Sequence, residues 1–153
     1  MPTTVVITPN AVTFDAINAT QQLAWTVQDQ NGRAMDTVTV TWSSENAGVA
    51  IVNPAGLVQG RGAGATAVRA TVTSRTSVSG TAGVTVAQVP ATILKIGGDA
   101  QTGAAGLALP SQLKVQVNDR LGFAVSGASV NFAVTQGAGS VAPTSGTTNA
   151  LGQ

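Results

Sequence analysis

The stretch Gln22-Leu23-Ala24-Trp25-Thr26-Val27-Gln28-Asp29-Gln30-Asn31-Gly32 decides the architecture. Leu23, Trp25 and Val27 alternate with Ala24, Thr26 and Gln28, the period of a half-buried strand with one solvated face. Asp29 to Gly32 then reads as a turn, because Asp hydrogen-bonds its own backbone and Gly tolerates a positive φ. Ninety residues later the pattern returns without a gap: Gln112, Leu113, Val117, Asp119 and Gly122 fall on Gln22, Leu23, Val27, Asp29 and Gly32. The register continues with Ala124 on Ala34, Val130 on Val40 and Phe132 on Trp42. Each copy is therefore strand, Asp-x-x-Gly turn, strand, with an aromatic closing the second strand.

Outward from this segment the same alternation recurs. Val38, Val40 and Trp42 alternate with threonines, Val68, Ala70 and Val72 with Arg69, Thr71 and Thr73, and Ala82, Val84 and Val86 with Thr81, Gly83 and Thr85. Turn residues separate the runs, at Asn53-Pro54-Ala55-Gly56 and Gly60-Arg61-Gly62-Ala63-Gly64 among others. No stretch sustains a helical period. Short strands spaced by such turns predict an all-β sandwich.

A repeat of this size predicts two like domains in tandem, at 1–88 and 89–153, joined near Ala87-Gln88-Val89-Pro90. Pro90 restricts Val89 to extended conformations, and so short a joint limits the swing between domains. Under the 90-residue offset Gln153 falls on Ala63, so nothing in the second copy corresponds to Gly64–Val86. The second sandwich is expected to lack its last two strands, and the chain to be a piece of a longer protein.

Composition narrows the function classes. Of 153 residues only 8% are charged, against about 25% in an ordinary soluble domain, while 43% are hydrophobic, enough for a core. Cys and His are absent, which removes disulfides and the usual ligands of zinc, copper, haem and iron–sulfur sites. The seven basic residues are scattered and the net charge is +1, so no nucleic-acid groove is expected. No apolar run reaches the length of a membrane span of about 18 residues, and the opening Met1-Pro-Thr-Thr-Val-Val-Ile-Thr has no basic n-region of a signal peptide.

With these residues in view, the first copy resembles the bacterial immunoglobulin-like domain, group 2. The resemblance rests on Thr20-Gln21-Gln22-Leu23, Val40-Thr41-Trp42-Ser43-Ser44, Val49-Ala50-Ile51-Val52 with Gly56-Leu57-Val58, and Gly64-Ala65-Thr66-Ala67 leading into Val68–Val72. The second copy resembles the group 1 domain of the invasin and intimin type, through Gly98-Asp99-Ala100-Gln101-Thr102-Gly103, Leu113-x-Val115-x-Val117-x-Asp119, Val130-x-Phe132-x-Val134 and Gly139-Ser140-Val141. Many relatives carry Asn before the turn glycine, where this chain has Leu121 and Leu151. The resemblance implies two tandem immunoglobulin-like β-sandwiches, the second incomplete, in a cell-surface or secreted bacterial protein. It implies a non-enzymatic spacer or adhesion module whose partners are neighbouring domains of the same kind. Recognition of a host protein or glycan, or strand exchange within a surface fibre, are the alternatives.

No residue is assigned a catalytic, cofactor-binding or metal-binding role. Ser111-Gln112-Leu113-Lys114 spells S-x-x-K, a nucleophile motif that needs a helix start, but it enters a strand. Gly60-x-Gly62-x-Gly64 lacks phosphate-loop spacing and reads as a flexible loop. Asp29, Asp36, Asp99 and Asp119 fall in turns or strand ends, and Asp99 near the joint is the one candidate for a bridging calcium. Lys95 and Lys114 are expected to point outward, away from any isopeptide bond to Asn. Asn18-Ala19-Thr20 spells a glycosylation sequon. Trp25 and Trp42, in phase with valines, are expected in the core rather than as sugar platforms, and Phe123 is the aromatic expected to be exposed.

Overall fold

The computed structural model describes all 153 residues and contains no helix. The chain forms two compact units, Met1–Gln88 and Val89–Gln153.

The first unit has nine strands: β1 (Pro2–Thr8), β2 (Ala11–Phe14), β3 (Thr20–Gln22), β4 (Ala24–Asp29), β5 (Val40–Ser44), β6 (Ala50–Val52), β7 (Leu57–Gly60), β8 (Gly64–Val72) and β9 (Ser79–Val86). One layer is the sheet β2-β9-β8-β5, in which β2 and β9 are parallel and the other pairs antiparallel. The facing layer consists of the pair β1-β4 and the sheet β3-β7-β6. Alternation places Val68, Ala70 and Val72 of β8 and Ala82, Val84 and Val86 of β9 on the inner face, where all six are buried. Val5, Ile7, Leu23, Val27 and Val58 meet them from the other layer. The layers approach so closely that a Cβ on Gly80 would overlap the backbone carbonyl of Val5, which is why β9 carries glycine there. Sheets with apolar inner faces and Thr or Gln outside are what the alternation predicts, and the sandwich is closed.

The second unit has four strands: β10 (Thr92–Gly97), β11 (Lys114–Asn118), β12 (Ser129–Asn131) and β13 (Ser145–Thr147). β10 pairs with β11, and β12 with β13, both antiparallel. β10 and β11 repeat β1 and β4, since Ile93 lies opposite Val117 as Val5 lies opposite Val27. The buried apolar set is Val117, Val125 and Ala128, with Val130 packed against it.

Three expectations are corrected. The strand expected to include Val38 begins at Val40, because Met35 and Val38 close a turn through Val38 N–H donating to Met35 O at 3.2 Å. Trp25 is 37% exposed rather than enclosed. It lies opposite buried Ile7 and in phase with buried Val27, yet it is not enclosed as they are. The second unit departs from the ninety-residue offset. Its last loop, Asn149–Gln153, has the same bonding as Asn53–Leu57, so Gln153 stands where β7 begins. The 90-residue offset misses this because six more residues separate that loop from the first Asp loop.

Candidate functional site

The most regular polar construction is a five-residue loop used four times. Its first residue is Asp or Asn: Asp29, Asn53, Asp119 and Asn149. In each, one side-chain oxygen Oδ1 accepts the backbone N–H groups two and four residues later, at 2.8 to 3.1 Å. The fourth residue is Gly with φ between 73° and 87°, and its N–H donates to the carbonyl of the Asx residue at 2.9 to 3.0 Å. The fifth residue's carbonyl accepts the N–H of the first. A short side chain that accepts two amides and a glycine in the left-handed region are the two requirements of this loop. At the third position the loop uses only the backbone N–H, so Asn31, Ala55, Leu121 and Leu151 all serve there and the leucines are accommodated without loss of the turn.

These loops bind their own backbone. At Asp29 the N–H groups of Arg33 and, next, Asn31 hold the carboxyl below the usual carboxylate range. At Asp99, also lowered, the first cause is Lys95, whose Nζ forms an ion pair with Oδ2, and the second is the N–H of Ala100. Asp99 and Lys95 are thus engaged with each other. No three acidic side chains converge on a common point.

The remaining candidates fall as follows. Ser111 is clasped through its backbone: its N–H donates to Gln101 Oε1 at 2.8 Å and its carbonyl accepts Gln101 Nε2 at 2.8 Å. Lys114 opens β11 and is exposed, so Ser111 and Lys114 form no catalytic pair on a helix. The glycine loop after β7 is pinned rather than free, with the N–H groups of Arg61 and Gly62 both donating to Val49 O. A Cβ on Gly62 would stand 2.7 Å from Gly48 O, so that loop needs glycine for closeness, not for a phosphate. Asn18 is exposed in the turn after β2, at φ 62°. Trp42 packs against the core, with its ring edge-to-face on Trp25 at 5.8 Å and 84°. The Trp42 indole N–H is shielded from solvent without a hydrogen-bond partner, so it is not offered to a ligand. Phe123 closes the Asp119 loop and is 39% exposed.

The second unit also carries a surface groove. It is open, about 310 Å³ in volume, and runs between β10 and β12, floored by Ile93, Val117, Ala128 and Val130. Nothing local in the sequence signals that Ile93 is 58% exposed while Val5, its counterpart, is buried.

Residues 2–93 match the family described as the bacterial Ig-like domain (group 2). The chain belongs to that family. No curated protein matches it. Among solved structures it is similar to domains 5–6 of the S-layer protein SbsC, at 19% identity and TM-score 0.49, covering 89% of this chain and 74% of that one. It is also similar to domains 1–6 of the same surface-layer protein, at 20% identity and TM-score 0.49, covering 82% of this chain and 17% of that one. A third is the Yersinia pseudotuberculosis adhesin InvE, at 20% identity and TM-score 0.44, covering 97% of this chain but 48% of that one. The chain thus spans about half the length of the adhesin structure and a sixth of the larger S-layer structure.

Proposed function

We propose that this chain is a non-enzymatic structural module of a bacterial cell-surface or secreted protein, with neighbouring immunoglobulin-like domains as its first partners. The observation that carries the reading is the closed group 2 sandwich of residues 1–88. Asp29 is engaged in its own turn and Glu45 in an exposed ion pair with Arg69, and the sheets face water with Thr and Gln. The second unit is read as a module of the group 1, invasin and intimin type, on the residues quoted above.

The physical role is spacing. A sandwich whose longest strand has nine residues extends about 30 Å at about 3.3 Å per residue. Weakly charged faces give little long-range attraction to passing polyions. A module of this kind sets the distance between what lies before and after it, and exposes its end loops to the medium.

Antibodies against residues 1–88 test the location. On intact cells of the source organism they are expected to label the surface, and mild protease treatment is expected to remove the signal. Labelling that appears only after lysis overturns the reading. Within the parent protein, deletion of residues 1–88 is expected to shorten the reach of the distal parts by about one module length. Unchanged reach in electron micrographs removes the spacer role while leaving the fold intact.

A further inference from the structure

Four loops share one construction, but only the first carries a side chain able to react with its own backbone. The third position is Asn31 in that loop and Ala55, Leu121 and Leu151 in the others, each followed by the left-handed glycine. Asn31-Gly32 is also the one place in the chain where glycine follows asparagine. The glycine matters because the backbone nitrogen of the next residue is the nucleophile that attacks an asparagine side-chain carbonyl, and glycine offers it with no Cβ in the way. Asn31 is exposed, and a Cβ placed on Gly32 would meet nothing within 4 Å, so water reaches both residues.

The hydrogen bonds of the loop act against that attack. Gly32 N–H donates to Asp29 O at 3.0 Å, which holds the nucleophilic nitrogen on a backbone carbonyl. Asn31 N–H and Arg33 N–H donate to Asp29 Oδ1 at 2.8 and 3.0 Å, and fix the peptide units on either side. To reach the Asn31 side-chain carbon, the Gly32 nitrogen must leave Asp29 O. Cyclisation therefore proceeds from an opened loop, and its rate falls with the population of that open state.

We propose that Asn31 is a site of spontaneous deamidation, and that Asp29 is the lock that sets its rate. In the opened loop the Gly32 nitrogen bonds to Asn31 Cγ, the side-chain nitrogen leaves as ammonia with the proton that Gly32 gives up, and a succinimide ring remains. Water then opens the ring. Attack at the side-chain carbonyl gives aspartate, and attack at the main-chain carbonyl gives isoaspartate, whose backbone runs through the former side chain. Overall one water is consumed, one ammonia is released, and nothing is oxidised or reduced. Isoaspartate adds one atom to the main chain between Asp29 and Gly32, which takes Gly32 N–H out of register with Asp29 O. Either product also brings a second carboxylate into the loop that Asp29 closes. Conversion is thus a one-way loosening of the turn after β4.

The test uses the full 153-residue chain in mildly alkaline buffer, sampled by peptide mapping with mass spectrometry, beside a synthetic peptide of residues Val27–Met35. Asn31 is expected to convert about tenfold more slowly in the chain than in the peptide, or more slowly still. Asp29→Ala is expected to raise the rate in the chain about fivefold or more, while slow amide exchange in β8 and β9 shows that the unit stays folded. Asp29→Asn keeps an oxygen acceptor, as Asn53 and Asn149 do, and is expected to stay within about twofold of the parent chain. Asn31→Leu, which installs the residue of the second unit's loops, is expected to give no conversion at this position. Equal rates in chain and peptide overturn the lock, as do equal rates for the two Asp29 variants. If the alanine variant unfolds, the ratio of chain to peptide decides. Asn31 left intact in the Asp29→Ala chain while the peptide converts, or earlier conversion at another asparagine, overturns the site.

Discussion

Leu23 and Leu113 occupy the same place in the two copies of the repeat, yet Leu23 is fully buried and Leu113 is 49% exposed. The residue type, the flanking alternation and the following turn are the same. What differs is the cover. Seventeen buried residues from both layers enclose Leu23's core, while the second unit encloses three. Burial is thus a property of the completed pair of layers, and the strand pattern states only which face is available for it.

Truncating both leucines gives the largest expected effect and the sharpest contrast. Leu23→Ala is expected to lower the stability of the first unit by about 3 kcal/mol, through lost transfer energy and a cavity that the tight layers do not fill. Leu113→Ala is expected to change stability by about 0.5 kcal/mol or less. Chemical denaturation of the whole chain, followed by amide exchange in each unit, separates the two. Equal losses from the two variants break the comparison, because they place Leu113 in a core of the same quality.

The loops give a second contrast. Asp29 is only half-buried, whereas Asp119 is 1% exposed. Replacing Asp119 by Ala leaves the N–H groups of Leu121 and Phe123 without the acceptor they share, at an expected cost of about 2 kcal/mol. Asp29→Ala is expected to cost less, since water replaces the lost acceptor. A larger loss at Asp29 than at Asp119 in denaturant titrations overturns this ranking.

These contrasts mark what the residues disclose by themselves. Strand positions, the inner faces of β8 and β9 and the Asp-x-x-Gly turns follow from local rules, alternation and turn chemistry. The four-fold loop was half legible: Asp29 and Asp119 show in the repeat, while Asn53 and Asn149 are displaced from the ninety-residue register and need the hydrogen bonds to be recognised as the same device. Trp25's partial exposure and the groove beside β12 are not local properties. They depend on what stands opposite in the fold, and that leaves no mark in side-chain alternation.

Trp42 and its counterpart Phe132 offer a smaller effect. The Trp42 indole N–H is shielded without a partner, a desolvation cost of about 1–3 kcal/mol that offsets part of the larger ring's burial. Trp42→Phe installs the residue that the second copy uses, and is expected to alter stability by about 1 kcal/mol or less. Trp42→Ala, which also removes the edge-to-face contact with Trp25, is expected to cost about 3–5 kcal/mol. Comparable losses for the two variants show that the whole indole is required and that the N–H imposes no penalty.

The smallest expected effect separates Asp29 from the asparagines that build the same loop. Two backbone N–H groups lower the Asp29 carboxyl in the folded protein, so the unfolded chain takes up a proton at higher pH than the folded one. The contribution of this carboxylate is therefore fully present above the ordinary Asp value of about 3.9 and fades as pH falls through the lower folded value. Asn53 and Asn149 make the same two bonds with an uncharged amide oxygen, and their loops carry no such dependence. Asp29→Asn is expected to preserve the loop while reducing the loss of first-unit stability between pH 4 and pH 2, about the range set by ordinary and depressed carboxylates. Denaturation curves for both proteins across that range, compared after normalising to pH 7, measure it. Parallel pH profiles for the two proteins show that the lowered carboxyl belongs to the unfolded state as well, and remove the folded loop as its cause.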